Sequence, residues 1–163
     1  METLLVVLGF LAIGGIVMWL QIAGQKAVRR NVVNRKGYRQ GPTVAKSRTT
    51  FIVPGSSAAQ VASTVITTLD YPTENTSVAG GMTLLAKTET EASFALGNRF
   101  GQTWVSTLSV TDEADGAHGT YSLTSWKASD GVPLGWKEME IVSRRVGEIV
   151  SSIGGAVKVT VSG

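Results

Sequence analysis

His118 is the one histidine in the chain, and it lies beside a run of carboxylates, Asp112, Glu113 and Asp115. These are the residue types that could move a proton or hold a cation. Nucleophilic catalysis needs a base beside an activated Ser, Thr or Cys. Cysteine is absent, so thiol chemistry and disulfides are excluded. A zinc site built from His and Cys needs several such ligands, and one histidine does not supply them. The three acids lack the spaced ligands and closing Glu of a calcium loop, so this stretch reads as a solvated acidic turn. Glu89 and Glu91 read the same way. Gly97-Asn98-Arg99-Phe100-Gly101 lacks the Lys and Ser/Thr of a phosphate-binding loop. No catalytic constellation, metal site or cofactor site is expected, and the chain reads as a non-enzyme.

The larger candidates are aromatic. Trp104, Trp126 and Trp136 fall near the ends of strands or at a helix start, with Phe51, Phe94, Phe100 and Tyr121 elsewhere. Such residues fill cores; the functional alternative is that the three tryptophans line a ligand cavity or a partner surface.

The elements that position these residues follow from periodicity. Arg48 to Val53 is rich in β-branched and aromatic residues and stops at Pro54-Gly55, which reads as a strand. Ser56 or Ser57 caps the next helix, where Ala58, Val61, Ala62, Val65, Ile66 and Leu69 form one apolar stripe. Asp70 to Gly81 is a loop. Met82 to Lys87, Ala92 to Gly97, Thr103 to Val110 and Gly119 to Trp126 alternate as half-buried antiparallel strands do. Asp115-Gly116 is a hairpin signal. From Trp136 to Ile153, Met139, Val142, Val146, Ile149 and Ile153 mark a long helix, with Glu140 and Arg144 at pairing distance. Val157, Val159 and Val161 alternate with Lys158 and Thr160 in a last strand. The expected class is α+β: strand, helix, four strands, long helix, strand, with the helices packed on one face of an antiparallel sheet.

The opening RTTFIVPGSSAAQVASTVITTL and the helix WKEMEIVSRRVGEIVSSI carry a loose resemblance, over residues 49–153, to the helix-grip family (START and Bet v 1-like domains). That resemblance implies a long C-terminal helix across a curved sheet and an apolar cavity between them. It implies no catalytic residue. The last strand, AVKVTV, departs from the family's usual ending.

Ahead of this domain lies Thr3 to Gln25, which holds no charged residue. As a helix it spans about 35 Å at about 1.5 Å per residue, enough to cross a hydrocarbon core about 30 Å thick. Glu2 in front of it and Ile22-Ala23-Gly24-Gln25 behind it suit a retained anchor better than a cleaved signal peptide. Eight positive charges follow between Lys26 and Arg48, with no acid among them. Lys26, Arg29, Arg30, Arg35 and Lys36 are the candidates for contact with the membrane surface. They place the N-terminus outside and the C-terminal domain in the cytoplasm. Gly37 reads as the stop of any helical extension, and Gly41-Pro42 as a turn or linker.

The chain therefore divides into a tail and transmembrane helix over 1–25, a basic juxtamembrane segment and linker over 26–48, and a domain over 49–163. The net charge of +3 averages two unlike regions. Residues 49–163 carry seven Lys/Arg against eleven Asp/Glu, a net of −4. A nucleic-acid binder shows a basic face on its folded part, so nucleic acid is not an expected partner. The expected partners are the lipid bilayer and a protein in the membrane or at its cytoplasmic face, with the chain as an accessory subunit or tethered adaptor. The alternative is a tethered domain for a lipid or other apolar ligand.

Overall fold

The computed structural model describes residues 35–161. The Thr3–Gln25 stretch and Lys26, Arg29 and Arg30 lie outside the described residues. Among those described, no helix is long and apolar enough to cross a membrane. The chain separates into two compact units, Met1–Tyr38 and Arg39–Gly163, and the second holds the sheet and its core.

The fold is α+β, with three helices and a six-stranded antiparallel sheet among the described residues. The elements are α1 (Arg35–Ala45), β1 (Ser47–Val53), α2 (Ala58–Leu69), β2 (Gly81–Lys87), β3 (Glu91–Asn98), β4 (Gly101–Glu113) and β5 (Gly116–Trp126). They continue with β6 (Ala128–Ser129), β7 (Val132–Pro133), α3 (Trp136–Ser152) and β8 (Ala156–Val161). The sheet order is β2-β3-β4-β5-β1-β8, and β6 pairs with β7 in a small separate ladder.

The meander β2 to β5 follows from short turns, and β1 then pairs with β5. The first strand thus sits inside the sheet, and the last one, β8, pairs with β1 and forms an edge. Period-two alternation puts Phe51, Val53, Phe94, Leu108, Val110 and Tyr121 on one face, where they are buried. Val61, Ala62 and Val65 of α2 and Met139, Val142 and Val146 of α3 join the same core. The small Ala62 lets α2 lie close to the strands.

Caps fix the helix ends. Ser57 is the N-cap of α2 and accepts a hydrogen bond from the Gln60 amide. Asp112 at the end of β4 accepts from the Ala58 amide at 2.6 Å. A carboxylate at a helix N-terminus satisfies an orphan donor and meets the positive end of the helix dipole. Asp112 is therefore a helix cap supplied from the sheet.

Two sequence expectations are corrected. The stop at Gly37 and the turn at Gly41-Pro42 are absent, because α1 runs through all three residues. Gly41 packs against β7 and α3: a Cβ there would lie 3.1 Å from Pro133 Cδ and 3.5 Å from Trp136 Cγ. Close approach explains this glycine, and packing overrides its low helix propensity. The Ser47 hydroxyl then donates to the Val44 carbonyl at 2.7 Å, closing the end of α1. Secondly, Arg144 pairs with Glu148 at 3.7 Å, where the helical spacing also allowed Glu140. Both acids sit four residues from Arg144, and spacing alone does not choose between them.

Candidate functional site

Helix α3 packs on one face of the sheet, and its position decides what stays covered. Thr49 on β1 and Val159 on β8 are register partners. Thr49 lies under α3, 1% exposed, and its hydroxyl shares a 2.8 Å hydrogen bond with Ser143. Val159 lies beyond the helix and is 60% exposed, and Val161 is 53% exposed. Farther along, the helix stays close to β8: a Cβ on Gly147 would sit 3.5 Å from Val157 Cγ1.

The result is a groove of ≈ 820 Å³ between the end of α1, the start of β1, α3 and the helix-side face of β8. Val44, Thr49, Val157, Val159 and Val161 supply its floor, and the small residues Ser143 and Gly147 supply the α3 wall. Glu140, Arg144 and Glu148 form the charged rim.

The edge itself is open. No described strand or loop pairs with the outer side of β8. The opposite edge is protected in two ways. A register shift between Leu84 and Ala86 interrupts β2, and the Leu84 amide donates to the Pro72 carbonyl at 2.8 Å. Bulges and covering loops are the usual means of blunting an edge strand, and among the described residues β8 has neither. Its one charge, Lys158, lies on the face away from the groove, since side chains alternate.

The three tryptophans gather near the start of α3 without forming one pocket. Trp104 is buried in the core, and its indole Nε1 has no hydrogen-bond partner. Trp126, its register partner on β5, is 39% exposed. Trp136 opens α3, packs on the core and covers Gly41. The preceding Gly135 has φ 68°, and a Cβ there would meet Leu96 Cδ2 at 2.7 Å and Trp104 Nε1 at 3.0 Å.

His118 is more engaged than a solvated turn residue. Its Nε2 lies 2.7 Å from Asp115 Oδ1 and its Nδ1 3.5 Å from Glu113 Oε1. The donor atoms of the three residues lie within 4.8 Å of one another, close enough to hold a cation. One carboxylate stands at each ring nitrogen, however, and a metal takes only one of those nitrogens. The arrangement is a histidine clamped between two acids at the β4–β5 hairpin. The hydrogen bond from His118 holds the Asp115 carboxyl below its usual range.

Of the membrane-surface candidates within reach, Lys36 is an exposed residue of α1, and Arg35 begins that helix. The groove residues are the ones that sequence reasoning passed over. The signal was present in Ala156-Val157-Lys158-Val159-Thr160-Val161, a strand whose valines alternate with Lys158 and Thr160. Comparison with known protein families, with characterised proteins and with solved structures finds no match.

Proposed function

We propose that this is a single-pass membrane-anchored protein whose cytoplasmic α+β domain binds a protein partner, as an accessory subunit or tethered adaptor. The observation that carries the reading is the free β8 edge, with Val159 and Val161 exposed beside a buried Thr49. An open edge offers main-chain hydrogen bonds, and alternate apolar side chains offer specificity. The uncharged Thr3–Gln25 stretch and the eight positive charges after it supply the anchor and its direction.

The test uses the full chain in native membranes. After an alkaline wash the protein stays in the membrane pellet. A short amine-reactive cross-linker then converts it to a larger adduct. Release by the wash contradicts the anchor, and a chain that stays monomeric at every cross-linker concentration contradicts the partner.

The groove itself favours a second reading, a tethered domain for an apolar ligand. Its ≈ 820 Å³ falls within the range of small-molecule sites, about 300–1,000 Å³. It is an open groove at the sheet edge, whereas the helix-grip resemblance implies a cavity between sheet and long helix. Delipidated protein that takes up a fluorescent fatty acid, and loses it on Gly147→Leu, supports this reading; no uptake contradicts it.

A further inference from the structure

We propose that the partner of the β8 edge is a second copy of this chain, joined β8 to β8 about a two-fold axis through Val159. The proposal rests on the protein-binding reading above and names its partner.

Symmetry and side-chain direction restrict the pairing sharply. Two copies of one strand paired antiparallel about an axis normal to the sheet keep their faces. Valines therefore stay on the helix side only if the numbers of opposed residues sum to an even value. With Val159 on the axis, Val157 opposes Val161 and Lys158 opposes Thr160. Five of the six residues of β8 then pair, and no like charges meet. With Lys158 on the axis, two ammonium groups face each other, which is destabilising. With Thr160 on the axis, Val159 opposes Val161 and only three residues of β8 remain paired. The Val159 register is the one the strand's own sequence favours. It joins two six-stranded sheets into one and puts both sets of valines in a common floor between two copies of α3.

The size of the contact sets its regime. Five strand residues and the adjoining rim engage about ten residues per copy, a third to a half of the roughly 20–30 a side of a standard interface. That corresponds to roughly 400 Å² per copy, short of the about 800 Å² per partner typical of stable complexes. Such a contact is weak between freely diffusing domains. Two chains anchored in one membrane are confined to its surface and meet more often than free domains do, which favours a contact of this size. The anchor and the modest edge therefore belong together: confinement makes up what the area lacks.

The absence of cysteine makes the test clean. Val159→Cys in the full chain places two thiols opposite each other, with Cα atoms about 4.5–5.5 Å apart in an antiparallel pair. That lies inside the range a disulfide spans, about 4.4–6.8 Å. Mild oxidation of native membranes is expected to convert most of this variant to a covalent dimer of twice the chain mass. Lys158→Cys mixed with Thr160→Cys is expected to give the same dimer. Lys158→Cys alone and Leu85→Cys, on the far edge, are expected to remain monomeric. No dimer from Val159→Cys, or equal yields at Val159 and Leu85, overturns the proposal. The amine-reactive adduct separates the two levels. An adduct of some other mass, with no Val159 disulfide, overturns self-pairing and leaves the protein-binding reading standing; no adduct of any kind overturns both.

Discussion

The ring of Phe51 on β1 lies over Gly119 on β5, its register partner, in the space a Cβ of residue 119 would fill. The two residues make one packing unit at the centre of the sheet, with Phe51 almost wholly buried. The glycine is there because the ring needs its place.

Gly119→Ala is therefore expected to destabilise the domain. Overpacking a well-filled core costs about 1–3 kcal/mol, and occasionally more. Denaturant unfolding of the variant should show a lower midpoint at an unchanged slope. A midpoint equal to that of the parent chain contradicts this packing.

Asp112 makes a prediction about α2. Its carboxylate accepts from the Ala58 amide, while Ser57 accepts from the Gln60 amide. Removing such a cap typically costs about 1 kcal/mol. Asp112→Ala should lose about that much stability, and Asp112→Asn less, since the amide oxygen still accepts. The two capping groups serve different amides, so the loss in Asp112→Ala with Ser57→Ala should be close to the sum of the single losses. Wild-type stability in Asp112→Ala refutes the cap.

The hairpin clamp makes a pH prediction. Asp115 is held below its usual range, chiefly by its hydrogen bond with His118. A carboxyl with a depressed folded-state pKa contributes stability that is present above its unfolded value, about 3.9, and is lost as pH falls through the lower folded value. His118→Ala should raise the Asp115 titration, followed by NMR, toward the ordinary carboxylate range. The stability difference between parent and variant should then shrink in acid. An unchanged Asp115 titration rules the clamp out.

Tyr121 behaves in the opposite direction. Burial pushes its phenol up, only partly offset by its hydrogen bond to Ser106 at 3.0 Å. The unfolded chain ionises near pH 10 and the folded one does not, so the folded state binds more protons there and stability falls as pH rises above about 10. Tyr121→Phe removes this loss while giving up about 1 kcal/mol of hydrogen bonding at neutral pH. The crossing of the two stability curves in alkali is the measurement. Parallel curves contradict the burial of the phenol.

Most of the architecture is legible in the residues. Alternation gives β2 to β5, the three- and four-residue steps give α2 and α3, and Asp115-Gly116 gives the hairpin. α1 is hidden because Gly37, Gly41 and Pro42 are local breakers, while the reason for Gly41 lies against Pro133 and Trp136, more than 90 positions away. The strand Ala156–Val161 is legible as well, but its place is not. Nothing local says that it pairs with β1, or that α3 covers Thr49 and leaves Val159 bare. The groove depends on the position of one helix on the sheet, which is a property of the packed core. The tryptophans show the converse: aromatic type drew them out as candidates, and Trp104 is buried core.

The central claim is that the chain, held at the membrane, engages protein through the β8 edge. The most direct test places a photo-cross-linking amino acid at Val159 of the full chain in native membranes, with Leu85 on the opposite edge as the control. Illumination is expected to yield a discrete protein adduct from position 159 and none from position 85. No adduct at 159, or the same adducts at both edges, contradicts the claim.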